Sequence, residues 1–105
     1  MVLLLIKMQV VNNFPNELIQ KDLPENVDVK KSFFPKGDFG DLFRYEFESN
    51  TILATLECWS NGAVSMDIFD IDVEEQIYVI FCLPNEIDQI NDNLDYFFKV
   101  LKSGN

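Results

Sequence analysis

Between Asp67 and Glu75 the chain carries Asp67, Asp70, Asp72, Glu74 and Glu75, five carboxylates within nine positions. Three chemistries use such a cluster: chelation of a hard cation, acid–base catalysis by a carboxyl pair, and attraction of a basic macromolecule. The calcium reading starts well, because Asp70, Asp72 and Glu74 alternate as loop ligands do. It fails where geometry is demanding: Glu75 occupies the place of the turn glycine, and Phe81 stands where a bidentate Glu is required. No pair among the acids is singled out by spacing as a glycosidase-like couple. The chain has no His, which removes imidazole acid–base catalysis, Ser-His and Cys-His nucleophiles and imidazole metal sites together. It also lacks a phosphate-binding loop, a dinucleotide fingerprint and a nucleophile elbow. No catalytic residue, metal or cofactor is expected: solvated acids on strands and a connecting turn are the favoured reading of the cluster, and a carboxylate-based hydrolase is a distant third alternative to a binding role.

Charge points the same way. Eighteen Asp and Glu against eight Lys and Arg give a formal charge of -10, which repels nucleic acid and anionic lipid and attracts basic protein surfaces. The opening "MVLLLI" is broken by Lys7, lacks a basic leader and is too short to span a bilayer, so a cytoplasmic location is expected. Hydrophobic residues make up 48% of the 105 residues, with ten Phe, enough for one folded domain over residues 1 to 105.

The elements that must position these side chains follow from periodicity. "MVLLLIKMQVV" suits either a strand or a helix, and "NNFPNELIQKDL" has the Asn and Pro chemistry of a helix start, closed by Pro24. "VDVKKSFF" reads as an irregular edge strand, followed by "PKGDFG" as a loop. "LFRYEFE" alternates Phe43, Tyr45 and Phe47 against Arg44, Glu46 and Glu48. "TILATLECW" and "AVSMDIF" then put Ala54, Leu56 and Cys58 on one face with Val64, Met66 and Ile68. A Ser60-Asn61-Gly62 loop with Gly62 left-handed brings those two sets together, whereas a two-residue loop would place Leu56 opposite Asp67. The same arithmetic around Ser49-Asn50 pairs Phe47 with Ile52. In "QIYVIFCL", Ile77, Val79 and Phe81 are assigned to the core face. Cys58 and Cys82 then lie two strands apart, about twice ~4.8 Å, too far for a disulfide.

Pro84-Asn85 reads as stop and cap of a last helix, with Glu86 and Asp88 in its first turn, Lys99 and Lys102 near its end, and an apolar stripe of Ile87, Ile90, Leu94, Phe97, Phe98 and Leu101. The expected class is α+β: an antiparallel β-meander of four to five strands, an N-terminal helical segment, and a C-terminal helix packed on one face. On this register Leu53, Glu57, Trp59, Asp67, Phe69, Tyr78 and Ile80 face away from the core. That face is either a protein-binding patch or the seat of the N-terminal segment as a second layer. Asp88, Asp92 and Asp95 form a second acidic stripe, on the helix.

The stretch "ATLECWSNGAVSMDIFDIDVEEQI" resembles the small immunity proteins of contact-dependent growth inhibition and related polymorphic toxin systems, in particular the type paired with tRNA-cleaving toxins associated with elongation factor Tu. Trp59, Asn61, Gly62, Asp67, Asp70, Glu75 and Gln76 carry the likeness, which extends over roughly residues 40 to 101. Val73-Glu74 stands where those proteins tend to have Thr-Gly. The resemblance implies a cytoplasmic, non-enzymatic inhibitor whose partner is a cognate nuclease toxin C-terminal domain, with elongation factor Tu reached only through the toxin complex. Glu57, Trp59, Asp67, Phe69, Asp70, Asp72, Glu74 and Glu75 are the expected toxin-binding residues. The alternative is a non-enzymatic adaptor or small-ligand-binding domain using the same sheet surface.

Overall fold

Alternation of large apolar and charged side chains gives the chain its strands, and the apolar faces fix how they pair. The computed structural model describes residues 26–103. It shows β1 (Asp28–Gly37), β2 (Gly40–Glu48), β3 (Ile52–Trp59), β4 (Val64–Asp70), β5 (Glu75–Cys82) and α1 (Ile87–Ser103). The strands form one open antiparallel sheet in the order β1-β2-β3-β4-β5, and α1 packs on one of its faces. The class is α+β, as expected. The N-terminal helical segment expected over "NNFPNELIQKDL" lies outside the described residues.

The β3–β4 hairpin has the expected register, with Cys58 opposite Val64, Leu56 opposite Met66 and Ala54 opposite Ile68. Gly62 takes the left-handed conformation at φ 102°, and its N–H donates to the Trp59 carbonyl at 2.9 Å. Only a residue without Cβ adopts that backbone cheaply. The β2–β3 pairing differs from expectation by two residues: Phe47 lies opposite Ala54, and Tyr45 opposite Leu56. The Ser49 hydroxyl accepts from the N–H groups of both Thr51 and Ile52, which moves the turn along the chain. A shift of two preserves every side chain's face, so the core is unaffected.

A shift of one occurs in β5 and matters more. Asp70 pairs with Glu75 and Phe69 with Gln76, but Ile68 pairs with Tyr78, so Ile77 is an inserted residue. This bulge reverses the rest of the strand. Tyr78, Ile80 and Cys82 face α1, whereas Val79 and Phe81 point away from it, 65% and 45% exposed. The expectation that Ile77, Val79 and Phe81 fill the core and that Tyr78 and Ile80 face outward is thus corrected.

The core joins Tyr45, Phe47, Leu56, Met66 and Ile68 from the sheet with Ile90, Leu94, Phe97, Phe98 and Leu101 from α1. Phe47 meets the edges of Phe97 and Phe98 at centroid distances of 5.6 and 6.1 Å. Helix entry is set by Glu86: its carbonyl accepts from Ile90, and its Oε1 accepts from the Leu83 N–H at 2.7 Å. Glu86 and not Asn85 thus stands at the N-cap position, its carbonyl taking the first helical bond while its carboxylate ties down the turn before the helix. Cys58 and Cys82 are free thiols on either side of Val64. Burial pushes the Cys58 thiol well above its ordinary range, so it is held as an inert apolar group.

Candidate functional site

The face of the sheet turned away from α1 is covered by no described residue. Its composition follows from the pairing register. Reading across the strands, one row is Ser32, Arg44, Glu57, Ser65 and Phe81; the next is Lys30, Glu46, Thr55, Asp67 and Val79; the next is Asp28, Glu48, Leu53, Phe69 and Gln76. Five carboxylates, Asp28, Glu46, Glu48, Glu57 and Asp67, stand against two cations, Lys30 and Arg44. Apolar groups lie between them and on the β5 side.

Three aromatic rings close one end of this face. Phe39, Trp59 and Phe81 lie at mutual centroid distances of 5.7, 5.8 and 5.9 Å. They come from three separate segments, and hairpin cross-bracing brings them together. The Ser60 N–H donates to the Asp41 carbonyl at 2.8 Å, the Asp41 N–H donates to the Ser60 hydroxyl at 2.9 Å, and the Asn61 N–H reaches the Phe39 carbonyl. Gly40, at φ 92°, permits the approach: a Cβ there would come within 2.1 Å of the Ser60 Oγ. The β1–β2 turn is thereby held over Trp59, carrying Phe39 with it.

Polar groups at the centre are ordered. Arg44 Nε donates to Glu57 Oε2 at 2.6 Å, Ser65 donates to Glu57 Oε1 at 3.0 Å, and the Arg44 guanidinium sits 4.9 Å from the Phe34 ring centroid. Glu57 is therefore paired with a cation and pinned. Asp67, one row away, has no such cation among the described residues. Burial first, and the Glu57 charge second, raise its carboxyl above the usual carboxylate range, while a hydrogen bond with Thr55 pulls the other way. A half-buried carboxylate beside another acid gains most from an incoming cation. Next to it, over β1 to β3, lies a depression of about 390 Å³ lined by Asp28, Lys30, Glu46, Glu48, Leu53 and Thr55. The Asp28, Lys30, Glu46, Glu48 and Leu53 side chains are exposed to water, which suits contact with a partner's surface better than enclosure of a small molecule.

Of the residues expected to bind the toxin, Glu57, Trp59, Asp67 and Phe69 share this face. Asp70 does not present a free carboxylate: its Oδ1 accepts from the N–H groups of Asp72 and Val73 and shapes the β4–β5 turn. Asp72, Glu74 and Glu75 are exposed on that turn and the start of β5, at the opposite end of the sheet from Trp59. Seven residue steps along β3 separate the two ends, roughly 23 Å. The expected set thus divides into a face and an acidic rim. Phe39, Phe81, Val79 and Arg44 belong to the face and were absent from that set. Among the described residues no three His, Cys, Asp or Glu side chains gather as a metal site, and no helix is long and apolar enough to cross a membrane. No family model, curated protein or solved structure matches the chain.

Proposed function

We propose that this protein is a cytoplasmic immunity protein that binds a cognate nuclease toxin, of the tRNA-cleaving kind, and neutralises it by direct protein–protein contact. The observation that carries the reading is the outer sheet face, where the Phe39, Trp59 and Phe81 rings at one end share a single surface with Asp67 and the Glu46 and Glu48 carboxylates farther along the strands. Aromatic groups anchor interfaces, and carboxylates around them select a basic partner. A nuclease must attract a polyanion, so the surface that meets its substrate is basic and complementary to this face. The likeness of the Trp59 to Gln76 stretch to immunity proteins supports the same assignment. The protein itself performs no reaction on this reading, and elongation factor Tu meets it only through the toxin.

The test is co-expression with the product of the neighbouring gene, which on this reading is the toxin. Wild type rescues growth, and the toxin domain co-purifies with it. Trp59→Ala with Asp67→Lys abolishes both while leaving the protein folded by circular dichroism. If the toxin kills despite wild-type protein, the function is wrong; if the double variant protects fully, the face is wrong. Recovery of a multi-protein scaffold in place of a basic toxin supports the adaptor reading.

A further inference from the structure

The two edges of the sheet are built differently. β1 carries the devices that stop another strand from adding: Lys30 and Lys31, Pro35, a register break between Phe34 and Gly37, and left-handed Lys36 at φ 61°. β5 has no Lys, Arg or Pro between Glu75 and Cys82. Its bulge lies at Ile77, near its start, and from Tyr78 to Cys82 it pairs regularly with β4. Along that regular stretch Val79 and Phe81 are 65% and 45% exposed, and Phe81 continues into the ring cluster with Phe39 and Trp59. An edge this regular and apolar is a template for strand pairing, with main-chain hydrogen bonds giving affinity and alternate side chains giving specificity.

Charge selects the occupant. Asp72, Glu74 and Glu75 precede the open stretch, and Glu86 and Asp88 follow it. A second copy paired antiparallel along a two-fold axis would bring the acidic start of one β5 toward the acidic end of the other, which is repulsive. A basic segment meets no such penalty.

We propose that β5 is a strand-addition edge that takes an extended, basic segment of a partner polypeptide, its alternate apolar side chains packing on Val79 and Phe81. This inference rests on the reading of the protein as the binder of a basic toxin and adds how that partner is held. The added strand becomes the sixth of the sheet, its outward side chains continuous with the acidic face.

The experiment is amide hydrogen exchange on the full-length protein, alone and with a short peptide of alternating Lys and Val, with a Pro-interrupted version as control. The alternating peptide slows those amides of Tyr78 to Cys82 that are not bonded to β4 by roughly tenfold or more. β1 amides are unchanged, and the Pro-interrupted peptide has no effect. Val79→Pro and, as a variant that retains the backbone N–H, Val79→Lys each remove the protection. Unchanged β5 exchange overturns the proposal, as does equal slowing on β1. So does protection of β5 already present in the free protein: concentration-dependent protection means a second copy holds the edge, and concentration-independent protection means residues 1–25 do. Peptide binding at β5 without protection against toxin removes the functional reading alone; toxin neutralisation with β5 unresponsive removes the edge alone.

Discussion

Exchanging Val79 and Ile80 for Ala, one at a time, tests the bulge that decides which side chains the outer face presents. Both residues are β-branched neighbours on one strand, so the loss of strand propensity is similar and cancels in the comparison. Val79 is 65% exposed, so about a third of its side chain is removed from water. Deleting two carbons worth ~0.8 kcal/mol each when fully buried then costs roughly 0.5 kcal/mol. Ile80 lies opposite Met66, which is 1% exposed, and packs against the core. Deleting three carbons there costs about 2 kcal/mol, at the low end for core truncations because the site is only partly enclosed. Urea denaturation reads both: with m of about 2 kcal/mol/M, the midpoint falls by about 1 M for Ile80→Ala and by about 0.25 M for Val79→Ala. An unbulged β5 gives the reverse order. If Val79→Ala proves the more damaging, Phe81 belongs to the core, and both the ring cluster and the open edge are lost.

Three further outcomes follow from particular residues. Asp67 has a folded-state pKa raised by burial, so its proton is held more tightly in the folded than in the unfolded chain. Its contribution to stability is most favourable below the unfolded carboxylate value and is lost as pH rises through the folded one. Asp67→Asn therefore stabilises the protein at pH 7, the gap from wild type closes on acidification through the carboxylate range, and toxin binding weakens; urea melts across pH check the first two. Glu74 sits at φ 56°, a conformation that costs a residue with a Cβ about 1 kcal/mol, so Glu74→Gly raises the melting temperature by about 4 °C. Asn91, 1% exposed on α1, donates from Nδ2 to the Ile87 carbonyl, but its Oδ1 meets no hydrogen-bond partner among the described residues. Asn91→Leu removes that buried, unsatisfied carbonyl and raises stability by about 1 kcal/mol in the same assay.

Periodicity sufficed where strands alternate cleanly and a turn constrains them. Cys58 to Val64, Leu56 to Met66 and Ala54 to Ile68 are legible in the sequence because, of a two-residue and a three-residue loop at Asn61-Gly62, only the longer aligns the apolar faces. Ser49 escaped that reasoning: its hydroxyl contacts with Thr51 and Ile52 shift the register by two, and two apolar patterns offset by two look alike. β5 escaped for a different reason. "IYVIFCL" is apolar throughout, so alternation assigns no face to Tyr78 or Val79, and the inserted Ile77 leaves no mark in composition. The ring cluster was hidden by the same reversal, together with Phe39, which lies in a turn and reaches Trp59 only through the Ser60–Asp41 bracing. Gly40 was the available signal, since a glycine beginning a strand marks close backbone approach. The acidic run also divides by role once the turn is seen. Asp70 shapes the backbone, Asp67 is half-buried on the outer face beside Glu57, and Asp72, Glu74 and Glu75 set the charge of the rim beside β5.

The most direct measurement is the association rate of the full-length protein with the proposed partner, a basic nuclease toxin domain, at low and high salt, for wild type and for Glu46→Lys with Asp67→Lys. The account predicts fast association that falls steeply with salt for wild type, and for the variant a rate lower by about tenfold or more with a flatter salt dependence. Equal rates and equal salt dependence for the two proteins contradict it, because the partner would then be meeting some other surface.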